Sequence, residues 1–281
     1  MINGIEDSSA RQGEYPGVHR YSIGHDDVTI SVSRGGRGRL VVVCPGLYST
    51  QAGLQVLIEL LRRDHDVVAF DLRGHGLSSA AGQYTFAGFR ADLVSVLAEL
   101  KSSAPAPVLV GYSLGADLAV HYASEHPGAV AGLVLIDGAN PIPEPFIPPA
   151  EVPEFRAMWE NSADADGPED AARRVLLTGT QALDLNLELD MIRTGELLGR
   201  YRNIGVPIGM VLSAVMAGGG GDERTRWRNR NWRAGIERLS RERPDITTTW
   251  LQADHRLVVT HAPEIARIVA ERIACLPDPG D

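Results

Sequence analysis

Pro107-Val108-Leu109-Val110-Gly111-Tyr112-Ser113-Leu114-Gly115 is the stretch that decides the fold. A short apolar run, of the kind found in strands buried on both faces, stops at Gly-Tyr-Ser-Leu-Gly, and helical spacing takes over from Leu114 to Glu125. A serine on so tight a strand-to-helix turn holds its hydroxyl clear of the sheet. The flanking glycines, Gly111 and Gly115, remove side chains that would collide there. The amide of Leu114, at the start of the helix, can then face an oxygen that gains negative charge. The pentapeptide alone occurs by chance in loops; its place between a buried strand and a helix gives it meaning.

Working outward, Leu40-Val41-Val42-Val43-Cys44 and Asp66-Val67-Val68-Ala69-Phe70 are two further buried runs. Between them, residues 51–63 place Leu54, Leu57, Ile58 and Leu61 on one helical stripe. Phe86 to Leu100 has helical spacing, and Ala131 to Ile136 is another strand. Before all of these, His19 to Ser33 alternates apolar and polar residues around a turn at Gly24 to Asp27, which predicts a hairpin. Strand alternating with helix predicts a parallel sheet with right-handed crossovers.

After Ala139 that rhythm breaks. Residues 140–203 open with Pro141, Pro143, Pro145, Pro148, Pro149 and Pro153 and then turn acidic and helix-like, which marks an insertion. The rhythm resumes with a strand over 206–215, a glycine loop at 218–221, a polar helix over 225–241, a last strand over 246–251 and a closing amphipathic helix over 262–274. The expected architecture is a single α/β domain, an eight-stranded mostly parallel sheet with helices on both faces. Residues 1–139 and 204–281 form its core, and 140–203 a helical lid after the sixth strand. Phe146, Ile147, Phe155, Met158 and Trp159 are expected to line an apolar pocket under that lid or to pack it onto the core.

Three further motifs sit at strand ends: Cys44-Pro45-Gly46-Leu47-Tyr48, Asp71-Leu72-Arg73-Gly74-His75-Gly76-Leu77-Ser78, and Asp254-His255-Arg256-Leu257. Together with the serine turn, they make the chain resemble the α/β-hydrolase-fold serine hydrolases over nearly its whole length. The resemblance implies Ser113 as nucleophile, His255 as general base, and the amides of Leu47 and Leu114 as the oxyanion hole. Proline at position 45 stands where the family usually carries histidine, and it spares the Leu47 N–H. His75 falls in a turn that the family uses to shape the wall of the site. His121, His126 and His261 are read as structural, the first two pointing away from the hydroxyl and the last at a helix start.

The acid of the triad departs from the common pattern. The family usually takes it from the loop after the seventh strand, yet Ser213 to Gly218 contains no carboxylate, and Asp222 follows only after the glycines. Asp137 ends the sixth strand, 24 residues after Ser113, a spacing of one helix, one turn and one strand that returns the chain to the same sheet edge. Haloalkane dehalogenases and polyketide-type thioesterases resemble that arrangement. Asp137 and Asp222 both remain candidates, with Asp137 preferred. A serine at the turn disfavours the dehalogenase and epoxide-hydrolase chemistries, which need a carboxylate nucleophile.

The 281 residues carry a net charge of −9 with 44% hydrophobic and 22% charged side chains, a globular composition whose sign argues against nucleic acid or anionic membranes as partners. No stretch approaches the ~20 apolar residues of a membrane helix. Met1 to Gly17 lacks a basic patch followed by an apolar run, and Cys44 and Cys275 are the only cysteines, so a cytoplasmic protein without a disulfide framework is expected. The single lysine, Lys101, follows a helix and is read as solvated, which sets lysine chemistry aside. No metal-ligand spacing or dinucleotide fingerprint occurs, so neither metal nor cofactor is expected. The run Thr225 to Arg233 interleaves arginine with tryptophan; a solvated helix face with inward tryptophans is preferred to an acyl carrier protein or nucleic-acid contact.

The expected function is hydrolysis of an ester or thioester of a small, largely apolar acyl substrate. An acyltransferase, cyclase or lyase on the same fold is the main alternative, and a non-catalytic ligand-binding member the third.

Overall fold

The computed structural model describes residues 17–100, 105–160 and 170–277. The acidic N-terminal stretch before Gly17, Lys101, and residues 161–169 of the insertion lie outside the described residues. In chain order the strands are β1 (His19–His25), β2 (Val28–Gly35), β3 (Arg39–Cys44), β4 (His65–Phe70), β5 (Val108–Tyr112), β6 (Gly132–Ile136), β7 (Ile208–Ser213) and β8 (Thr247–Leu251). They form one sheet in the order β1-β2-β4-β3-β5-β6-β7-β8. The β1–β2 and β2–β4 pairs are antiparallel and every other pair is parallel.

The helices are α1 (Gln55–Leu61), α2 (Phe86–Leu100), α3 (Leu114–Glu125), α4 (Val152–Glu160), α5 (Gly179–Gly195), α6 (Leu197–Arg202), α7 (Glu223–Glu242), α8 (Leu257–Thr260) and α9 (Ala262–Ala274). The period-two geometry of a strand divides each apolar run between two cores. From β3, Leu40, Val42 and Cys44 face the layer of α2, α3 and α7, where Phe89, Leu118 and Trp232 meet them. Val41 and Val43 face the opposite layer, packed with Leu57 of α1 and Ile265 and Val269 of α9. Helices on both faces therefore follow from runs with no polar member.

The first helix is shorter than its apolar stripe suggests. Residues 51–54 form turns instead, in which the Thr50 hydroxyl accepts the Gly53 amide at 3.1 Å and the Thr50 carbonyl the Leu54 amide at 2.9 Å. At the other extreme α7 begins two residues earlier than its spacing suggests, because Asp222 caps it by accepting the Thr225 amide at 2.9 Å.

Residues 140–203 do two things. Around α4, Ile147, Phe155 and Leu183 form a small apolar cluster of their own, with Trp159 and Leu187 against it. Further on, Leu185, Leu189, Leu197 and Tyr201 join the main core, and the Tyr201 phenol donates to the Ala139 carbonyl at 2.6 Å. Thr178 opens α5 with a capping box, its hydroxyl accepting from Gln181 while the Gln181 side chain accepts from Thr178. Arg193 of α5 then grips Asp117 of α3 with two hydrogen bonds, at 3.1 and 2.5 Å. The two cysteines are free, Cys44 buried and Cys275 exposed. Among the described residues no helix is long and apolar enough to cross a membrane.

Candidate active site

Parallel strands deliver their carboxyl ends to one rim, and in such sheets that rim is where ligands bind. The register brings Cys44 beside Gly111, Tyr112 beside Ile136, and Ser213 beside Leu251, so the residues that follow each strand emerge together. They are Leu47, Ser113, Asp137, Ala214 and His255.

Ser113 sits between β5 and α3 at φ 51° and ψ −119°, a conformation that costs a non-glycine residue about 1–3 kcal/mol and aims its side chain off the sheet. The surroundings enforce it. A Cβ on Gly115 would lie 2.0 Å from the Cys44 carbonyl oxygen, and one on Gly46 would lie 3.0 Å from Ser113 Cβ. The β3 exit and the serine turn are thus in backbone contact, and only glycine permits it.

Three side chains from three strand ends form one hydrogen-bonded chain. His255 Nε2 lies 2.9 Å from Ser113 Oγ, and His255 Nδ1 lies 2.8 Å from Asp137 Oδ2. Asp137 is 1% exposed and stands at φ 46°, a second strained position at this rim. The His255 side chain is 38% exposed, so solvent reaches the ring although it does not reach the acid. Two contacts fix the ring's backbone: the Tyr112 phenol donates to the His255 carbonyl at 2.7 Å, and the His255 amide donates to the Met216 carbonyl at 3.3 Å. The Tyr112 and His255 rings pack at 5.2 Å, and burial pushes the Tyr112 phenol's pKa up, keeping it a donor.

Asp222, the other candidate acid, is exposed, and its carboxylate accepts both the amide and the hydroxyl of Thr225. Those bonds hold its pKa below the usual carboxylate range. The structure brings Asp137 to His255 and leaves Asp222 as a helix cap.

Ser213 was not legible as a site residue. It ends β7 fully buried, its amide donating to Asp137 Oδ1 at 2.8 Å and its hydroxyl lying 2.8 and 2.7 Å from the two carboxylate oxygens. It stands ahead of the loop that lacks a carboxylate, and it grips the acid that arrives from the neighbouring strand. The only hint in the sequence is that a buried strand closes on a hydroxyl.

Leu47 and Leu114 flank the serine, and among the described residues neither amide has a hydrogen-bond partner. The loop that carries Leu47 is held by His75. The Tyr48 amide donates to His75 Nε2 at 3.2 Å, which places the ring proton on Nδ1, 2.9 Å from the Arg73 carbonyl. His75 is fully buried, and that burial lowers its pKa to about 4, so it is neutral at pH 7 and works as a strut for the loop.

The remaining histidines are elsewhere. His121 is buried on α3 against the Phe86 ring, with burial lowering its pKa to about 3. His126 stacks on Tyr122, and His261 stands at the start of α9. Among the described residues no group of histidine, cysteine, aspartate and glutamate is placed to hold a metal ion.

Comparison with known proteins agrees with this geometry at the level of family and fold. The family profile described as alpha/beta hydrolase fold matches residues 39–183. A 2-(acetamidomethylene)succinate hydrolase from Mesorhizobium japonicum is 34% identical over 110 residues, 39% of this chain and 39% of that protein. An epoxide hydrolase from Caballeronia sordidicola is 31% identical over 157 residues, 53% of this chain and 44% of that protein. These matches span about two fifths of the relatives' lengths. A crystal structure of E-2-(acetamidomethylene)succinate hydrolase superposes with a TM-score of 0.68 at 21% identity, covering 92% of this chain and 100% of that one.

Proposed function

The chain belongs to the α/β hydrolase family, and from that premise we propose that it hydrolyses an ester or thioester of a small, largely apolar substrate through an acyl-enzyme on Ser113. The observation that carries this reading is the chain of hydrogen bonds from Ser113 Oγ through the His255 ring to Asp137. Ser113 Oγ attacks the carbonyl carbon as its proton passes to His255 Nε2. The tetrahedral oxyanion lies between the Leu47 and Leu114 amides, which have no other partner among the described residues. Asp137 holds the ring in the tautomer that accepts this proton and stabilises the imidazolium that forms. Collapse expels the alcohol or thiol, which takes the proton back from His255. A water molecule then repeats the sequence on the acyl-enzyme, releasing the acid and restoring Ser113.

A serine nucleophile separates this chemistry from the alkyl-enzyme route of epoxide hydrolases, which needs a carboxylate at that position. In this reading the insertion after β6 serves as the lid, and the apolar cluster of Ile147, Phe155 and Leu183 gives it a small core of its own. The test is labelling by a fluorophosphonate probe together with hydrolysis of short para-nitrophenyl esters. Both are expected in the wild type and lost in Ser113→Ala. Ester turnover that survives Ser113→Ala would overturn the reading.

A further inference from the structure

A cleft of about 260 Å³ lies between the 140–203 stretch and the segment after β7. Its walls are mostly apolar, with Phe146, Phe155, Trp159 and Met216 among them, and three charged side chains reach it: Asp190, Arg193 and Arg228. Two of its lining residues are tied to the segments that carry the catalytic groups. Met216 accepts the His255 amide through its carbonyl, and Asp117, which holds Arg193, is four residues beyond Ser113 on α3.

The three charges are not equivalent. Arg193 is matched by Asp117 through a bidentate pair, and both are largely buried. Asp190 accepts the Ile147 amide at 2.9 Å, and burial raises its pKa. Arg228 has no such commitment. Among the described residues its Nε is buried without a hydrogen-bond partner, its one hydrogen bond is a long 3.4 Å contact to the Phe146 carbonyl, and no carboxylate lies within ion-pair distance of it.

The neighbouring Arg224 makes the contrast sharper. Both guanidinium groups lie over the Phe155 ring, Arg224 at 5.2 Å and Arg228 at 5.8 Å, yet Arg224 is paired with Glu151 at 2.8 Å. Arg228 faces inward. It is held there by α7, where the adjacent Asn229 accepts the Ala217 amide at 2.9 Å and donates to the Gly218 carbonyl at 3.0 Å. A half-buried guanidinium with free donors, reached by the Asp190 carboxylate only at longer range, is completed by a planar anion, since a carboxylate takes two parallel N–H bonds from that fork.

Resting on the serine-hydrolase reading, we infer that Arg228 is a specificity residue that receives a second, ionised carboxylate on the substrate. The substrate class is then an ester or thioester whose short apolar acyl chain ends in a carboxylate. The reacting carbonyl sits at Ser113, the chain runs along the aromatic wall, and the terminal carboxylate meets Arg228.

The test compares para-nitrophenyl hydrogen glutarate with the neutral para-nitrophenyl valerate, of similar length. The wild type is expected to favour the charged ester in kcat/KM. In Arg228→Met, the ratio of the two kcat/KM values falls about 10- to 100-fold, as expected for loss of a charge-assisted pair, while Arg228→Lys retains part of it. A ratio unchanged in Arg228→Met overturns the inference. Glutarate binding by calorimetry keeps the subsite separate from the reaction: Ser113→Ala binds glutarate, and Ser113→Ala with Arg228→Met binds it at least tenfold more weakly. If the wild type cleaves neither ester, the hydrolase reading fails while this binding difference still upholds the anion subsite; equal binding by the two variants overturns it.

Discussion

The serine turn and the wall of the cleft that holds Arg228 are built by different means. At the turn the backbone itself is in contact: Gly115 passes the Cys44 carbonyl at a distance that excludes a Cβ, and Gly46 passes tightly against the Tyr112 and Ser113 side chains. At the wall, side chains meet side chains: Arg193 on Asp117, and Arg228 over the Phe155 ring. Backbone packing fixes positions to a fraction of an ångström and tolerates almost no change. Side-chain pairing allows one partner to be exchanged while the frame stays, which suits a surface that selects among substrates.

The largest effect that could break this contrast belongs to the acid. Asp137→Asn should lower kcat for short activated esters by on the order of ten-thousand-fold, because the amide favours the wrong ring tautomer. Asp222→Asn should leave kcat within about two-fold, since its carboxylate serves α7 alone. Comparable losses in the two variants would return Asp222 to candidacy.

Next comes the backbone itself. Gly115→Ala places a methyl 2.0 Å from the Cys44 oxygen, and its cost in urea denaturation should be about 3 kcal/mol or more. Gly219→Ala, with nothing within 4 Å of the added carbon, should stay within about 0.5 kcal/mol. Similar values for both would mean that the turn is more yielding than its contacts indicate.

Ser213→Ala removes the hydroxyl from Asp137 and leaves the backbone amide in place. A fall in kcat of about tenfold is expected, with a displaced pH profile as the mark of a positioning residue. Loss of thermal stability with an unaltered pH profile would make Ser213 merely structural.

The smallest effect concerns His75, and its sign follows from proton binding. Its folded pKa of about 4 lies below the unfolded value of about 6.5, so the unfolded chain binds the extra proton between those two values. The stability contributed by neutral His75 is complete above pH 6.5 and is lost as the pH falls toward 4. The destabilisation caused by His75→Gln, measured by urea denaturation, should therefore shrink from pH 7 to pH 4.5. A difference independent of pH would show that His75 does not titrate in this way.

The sequence disclosed most where one signal sufficed. Helical spacing marked α2, α3 and α9 at the residues where they begin and end, because their apolar stripes run from end to end. The strand run Leu133 to Ile136 located Asp137 at the rim, and the Gly-Tyr-Ser-Leu-Gly turn did the same for Ser113. Residues whose meaning depends on a distant partner stayed silent. Ser213 is an ordinary strand serine until β6 delivers a carboxylate beside it. Arg228 lies in a run expected to be a solvated helix face with inward tryptophans. Trp232 is indeed buried, while Arg228 is half-buried and Asn231 and Arg233 tie α7 to neighbouring loops through the Glu144 and Ala214 carbonyls. Spacing could orient that helix only once the loops beneath it were in place.

The phenol of Tyr112, bonded to the carbonyl of His255, has a mechanical consequence. The residue before the nucleophile and the base 143 positions away are joined like two ends of a clamp, so neither travels without the other. Moving either one alone would break that bond, so the nucleophile's strand and the base's loop are held to one another by a tie that takes no part in the proton relay.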